Sequence, residues 1–152
     1  MENSTMIKKD SSKVTGIVNV VVRDDAGKIK QEFTVPNLVV DTGLDFIASR
    51  MKDTSATAMS HMGVGTGSTA ASSADTALGT QLARVALAST TVTDNSISYV
   101  ATFPAGTGTG ALTEAGTFNA SSGGTMLCRT VFAVINKGPA DSMTVTWTVT
   151  IS

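Results

Sequence analysis

The chain is 152 residues long and 41% hydrophobic, with 11 basic and 12 acidic side chains and a net charge of −1. That length suits one packed domain of about 100–150 residues, and the balanced charge gives no general drive toward nucleic acid or anionic lipid. No apolar run approaches the roughly 20 residues of a membrane-spanning helix, and the opening MENSTMIKKD lacks the apolar core of a signal peptide. The lone cysteine, Cys128, forms no internal disulfide, so synthesis in the cytosol is expected.

Residues 1–13 are polar and without period, and read as a flexible arm carrying Lys8, Lys9 and Lys13. A single domain is expected over 14–152. VTGIVNVVVR and KIKQEFTVP flank the turn Asp24 to Gly27 and predict a hairpin. Past Pro36, DTGLDFIASRM places Leu44, Ile47, Ala48 and Met51 at helical spacing, with Asp41 or Thr42 available as the cap.

Beyond the glycine segment GVGTGST (63–69), STAASSADTALGTQLAR reads as a long loop with a helical turn near Thr76 to Leu82. VALASTTVT and ISYVATFPA flank the turn signal Asp94-Asn95-Ser96, a second hairpin. A short strand is expected around Leu112 to Phe118, then the apolar strand MLCRTVFAVI up to the turn Asn136 to Pro139. Last comes MTVTWTVTI, where Met143, Val145, Trp147, Val149 and Ile151 alternate with four threonines. Seven or eight short strands, one helix and no repeated strand–helix alternation predict a mainly β chain, an antiparallel β-sandwich of jelly-roll or related type.

Charge is concentrated in residues 1–53, which hold 8 of the 11 Lys and Arg and 8 of the 12 Asp and Glu. The rest of the chain is solubilised by Thr, Ser, Ala and Gly, with 24 threonines in all. A charge-poor, Thr-rich surface suits β-structure and is compatible with burial against neighbouring subunits.

The glycines Gly63, Gly65 and Gly67 invite a phosphate-loop reading. Such a loop needs a lysine to reach the terminal phosphates, and no Lys or Arg lies within ten residues of this segment. A dinucleotide fingerprint needs a third glycine, which falls at Ser68 or Ala70, and a following helix. The glycines are therefore expected to let the chain bend tightly or let another strand approach closely. His61, the only histidine, reads as an exposed loop residue, and one His with one distant Cys gives no metal-ligand spacing. Cys128 is expected on a buried strand face with Met126, Thr130, Phe132 and Val134. Glu114, in the near-neutral ALTEAGTF, is expected to pair with Arg84 or Arg129. No catalytic, cofactor or metal site is assigned.

Taken in order, VPNLVVDTGLDFIASRM, GVGTGSTAASSADTALGTQLAR, TEAGTFNA with GGTMLCRTVF, and TVTWTVTI resemble small β-sandwich structural proteins of tailed-bacteriophage virions, over about residues 14–152. The resemblance is to head decoration (cement) proteins first. Tail-fibre and baseplate components share a related pattern of a glycine segment, D-T-x-L, an arginine and T-E-x-G before an apolar residue, where this chain has Thr117. It implies a non-catalytic virion protein without a cofactor, made in the host cytoplasm and carried on the capsid surface. The implied partners are the major capsid protein and further copies of the chain, as a homotrimer, with Lys8, Lys9 and Lys13 as contacts. No nucleic acid, membrane or small-molecule substrate is implied. The alternatives are a tail-fibre, baseplate or head–tail attachment component, and a carbohydrate-binding β-sandwich, against which the sparse acids and aromatics speak.

Overall fold

The structure is a computed structural model and describes residues 11–52 and 56–152. The chain folds into two antiparallel five-stranded sheets packed face to face with one short helix, a β-sandwich. In chain order the elements are β1 (Val14–Arg23), β2 (Ile29–Pro36), β3 (Leu38–Val39), α1 (Asp41–Arg50), β4 (His61–Gly65), β5 (Gln81–Ala86), β6 (Ser89–Thr93), β7 (Ser96–Phe103), β8 (Gly110–Phe118), β9 (Met126–Lys137) and β10 (Ser142–Ile151). The first sheet runs β2-β1-β10-β7-β6 and the second β3-β9-β8-β4-β5.

Alternation builds the first sheet. On β10, Met143, Val145, Trp147 and Val149 are buried, while the threonines between them face outward. On β1, Val18, Val20 and Val22 do the same. These side chains meet Met62, Val64, Leu112, Ala115, Leu127, Cys128 and Ile135 of the second sheet in one core. A side-chain period of two forces this result once one face of a strand is buried. The chain crosses between sheets at both lateral edges, through Asn37 from β2 to β3 and through Leu87 and Ala88 from β5 to β6.

Several expectations are corrected. VALASTTVT is two strands in different sheets, and 76–80 is irregular rather than helical. The helix is capped by Val40 without a side-chain bond; Thr42 Oγ1 instead donates to the Met126 carbonyl at 3.1 Å. Its buried residues are Gly43 and Phe46, whereas Leu44 is 45% and Met51 87% exposed. The reason is a close backbone approach: a Cβ on Gly43 would stand 2.2 Å from the Leu127 carbonyl oxygen, so the face carrying glycine is the one that can dock. On β9 the expected face ends early. Register shifts opposite Leu112 and Glu114, so Ile135 and Lys137 turn inward and Val134 outward, 50% exposed. There residues 132–134 of β9 stand against Thr113 alone, and the alternation of β9 is reset across this irregular stretch. His61 is not in a loop; it opens β4, half-buried, with Nδ1 2.8 Å from Ser60 Oγ.

Candidate functional site

The feature that concentrates chemistry is the far end of the second sheet, where β4 leads into residues 66–69. Gly63 and Gly65 lie within β4, the strand between β8 and β5, and none of Gly63, Gly65 and Gly67 has a positive φ. The glycines are therefore present for close approach, not for a turn. A Cβ on Gly65 would fall 2.1 Å from the Thr80 carbonyl oxygen, and one on Gly67 would fall 2.4 Å from Glu114 Oε2.

What approaches is a carboxylate of the same chain. Glu114, on β8 and 0% exposed, accepts the Gly67 and Thr80 amides on Oε2, each at 2.7 Å. Its Oε1 accepts the Gly79 amide at 2.7 Å, and Arg129 Nη2 at 3.0 Å and Nε at 3.2 Å. Arg129, on β9, also bonds Asp75 Oδ2 at 2.9 Å through Nη1 and the Thr69 carbonyl at 3.1 Å through Nη2. Burial alone would raise the Glu114 pKa, but the Thr80 and Gly79 amides, Arg129 and the Gly67 amide together hold it below its ordinary value. The group is a fixed anion at neutral pH, with both oxygens occupied by donors. It has no proton to give and no lone pair turned to solvent, so its chemistry is structural: it clamps the 66–69 and 79–80 segments to β8 and β9.

Of the two cations expected to pair with Glu114, the structure selects Arg129. Arg84, on β5, lies 3.6 Å over the centroid of the Phe118 ring and donates to the Ala120 and Gly123 carbonyls at 3.0 and 2.8 Å. It thus ties down the 119–124 loop. Replacing Arg84 with Ala should cost about 1–2 kcal/mol through the lost cation–π contact and charged hydrogen bonds, measurable by urea denaturation as a lower midpoint at unchanged slope.

A second charged cluster lies around Asp141. Asp141, 5% exposed, accepts Lys30 Nζ at 2.5 Å and the Gly138 amide at 2.7 Å. Lys137, 2% exposed, donates to the Pro104 carbonyl at 3.0 Å. The bulge in β9 that turns Lys137 inward carries no sequence signature. Trp147 is fully buried between the sheets. Burial pushes the Cys128 thiol up to about 12, so it stays protonated as an apolar core residue rather than a nucleophile. Among the described residues no three His, Cys, Asp or Glu side chains gather as a metal site, and no helix is long and apolar enough to cross a membrane. Lys8 and Lys9 lie outside the described residues; the Lys13 backbone pairs with Ser152 at 2.7 and 2.9 Å.

The other candidate is a surface. Pairing in the first sheet sets Thr15, Thr150, Ser96 and Thr93 in one row, Ile17, Thr148, Ser98 and Thr91 in the next, then Asn19, Thr146, Val100 and Ser89, and finally Val21, Thr144 and Thr102. These are the outward positions, alternate to the buried ones. These rows of four adjacent strands present hydroxyl, amide and aliphatic groups without a charge; charges border them at Arg23, which follows Val21 on the same face of β1 and pairs with Ser142, and at Glu32, beside Val21 on β2. Ser96 and Thr150 hydroxyls lie 2.8 Å apart, so part of the face is already internally bonded. Comparison with known protein families, with curated proteins and with solved structures finds no match.

Proposed function

We propose that the chain is a non-catalytic structural protein of a tailed-phage particle, a decoration protein that lays the charge-poor, hydroxyl-rich outer face of its first sheet against the capsid. The observation that carries this reading is that face, four strands wide and uncharged up to Arg23 and Glu32 at its border. A solubilising surface of a monomer normally intersperses Lys and Glu, whereas the buried centre of a protein interface is depleted of them. The Glu114 cluster supports the same reading from the other side: its donors and acceptors are consumed within the chain, which makes the loop end of the sandwich rigid rather than reactive. The order of sequence motifs supplies the virion context. Stabilisation of the head would follow from the area added between capsid subunits.

The purified protein should add to capsids lacking it and raise their thermal tolerance, and Thr148→Lys with Ser98→Glu at the centre of the face should abolish addition without unfolding the domain. The readouts are co-sedimentation with heads and the temperature of head disruption. Failure to bind heads at every salt concentration tried would overturn the proposal.

A further inference from the structure

Each sheet of the sandwich has two edges, and three of the four carry devices that discourage pairing with another strand. Strand β2 has Lys30, Glu32 and Pro36; β3 is two residues long, next to Pro36; β5 carries Arg84 and lies across a register shift at Val64 and Gly65. Charges, proline, shortness and bulges are the usual protections of an edge. The fourth edge, β6, has none of them. It reads Ser-Thr-Thr-Val-Thr, pairs regularly with β7 alone, and all five of its residues are exposed.

The core face of the sheet does not stop at β7. Val92 pairs with Ile97 and Thr90 with the buried Tyr99, so both stand on the inward side of the sheet. Val92 is nevertheless 69% exposed. Beside it opens a cleft of about 230 Å³, lined by Phe46 and Ile47 of α1 and by Val92, Ile97, Tyr99 and Leu127. An unpaired backbone edge and an apolar cleft next to it are the two components of strand addition, in which main-chain bonds supply affinity and alternate side chains fill pockets.

We infer that β6 is the seam of a two-fold dimer of this chain, pairing antiparallel with β6 of a second copy about Thr91. Self-complementarity selects this occupant. In that register Thr90 meets Val92 of the second copy and Ser89 meets Thr93, so no like charges are opposed and each pair is of a kind found across strands. The two-residue turn at Asp94 and Asn95, with Asp94 at φ 52, makes Thr93 and Ser96 a hydrogen-bonded pair. By alternation the backbone groups of Thr90 and Val92 then point away from β7, toward the second copy, while the two Thr91 residues form a close non-hydrogen-bonded pair. With inward faces aligned across the two-fold axis, Val92 of each copy covers the edge of the other copy's cleft. A threefold association would have to use a different surface.

The test is sedimentation of the full chain over a range of concentrations, with Val92→Lys and Thr91→Cys as variants. The wild type should show a concentration-dependent dimer. Val92→Lys should weaken it by about tenfold or more, equivalent to about 1.4 kcal/mol, while the unfolding midpoint measured at concentrations where both proteins are monomeric stays unchanged. Thr91→Cys should link two chains through a disulfide under oxidation, because a close antiparallel pair meets the Cα spacing such a bond requires and the native Cys128 is buried. A wild type that stays monomeric, an oligomer indifferent to Val92→Lys, or a Thr91→Cys protein that does not cross-link would each overturn the inference. The dimer belongs to the isolated chain, so its failure would leave attachment to heads standing, and failure of head attachment would leave the dimer standing.

Discussion

Replacing Arg129 with Met should destabilise the fold by about 3–5 kcal/mol, the usual cost of removing one member of a buried ion pair. Glu114, 0% exposed in the native chain, would keep its three backbone amides but have no cation beside it. A buried pair can often be exchanged for apolar side chains at little cost. That exchange should fail here. In Arg129→Met with Glu114→Leu, the Gly67, Gly79 and Thr80 amides all lose their acceptor, and each orphaned donor costs about 1–3 kcal/mol. The double variant should therefore be no more stable than the single one. Urea denaturation of the two proteins decides the point; recovery of wild-type stability in the double variant would mean the cradle is not the organising contact.

The same cluster sets the response to acid. The folded-state pKa of Glu114 lies below its ordinary 4.5, so its contribution to stability is complete above that value and is lost as pH falls through the lower folded value. Asp141, held below its ordinary 3.8 by the Lys30 hydrogen bond first and by the Gly138 amide next, acts in the same direction. Stability should be flat toward neutral pH and fall on the acid side. In Glu114→Gln that acid limb should be shallower, since one of the two groups no longer titrates.

Sequence and structure agree where a pattern has one cause. Strand β10 was legible because an unbroken alternation around Trp147 has only one way to be buried, and the β6–β7 hairpin because Asp94 and Asn95 supply the turn chemistry. The face of α1 was not legible. Hydrophobic spacing favoured Leu44 and Met51, but the helix docks where Gly43 lets the Leu127 carbonyl come close, and closeness of backbone outweighs the apolar spacing. Lys137 was missed for a similar reason: the alternation of β9 is reset across an irregular stretch before it. The Glu114–Arg129 pair was half visible, because charge scarcity narrowed its partner to two arginines. The rest of its shell is the main chain of Gly67, Gly79 and Thr80, which has no side-chain signature.

Gly65→Val should be the most damaging single substitution in the glycine segment, costing upward of about 3 kcal/mol, beyond the usual range for overpacking. Its Cβ would sit 2.1 Å from the Thr80 carbonyl oxygen and 2.7 Å from Glu114 Oε2. The first obstacle is main chain, and Thr80 is itself held by the Thr66 amide at 2.9 Å through that carbonyl and by Glu114 through its own amide. Neither can retreat without breaking the cradle. Gly63→Ala is the contrast within the same strand. There an added Cβ would approach only side-chain atoms, of Gln81, Leu78 and Phe118, at 3.2 Å, and small rotations of these groups can relieve the contact. The ordering Gly65→Val far below Gly63→Ala, read from unfolding midpoints, follows if the glycines exist to admit the Thr80 and Glu114 oxygens. Comparable midpoints for the two would show that the glycines serve the strand alone.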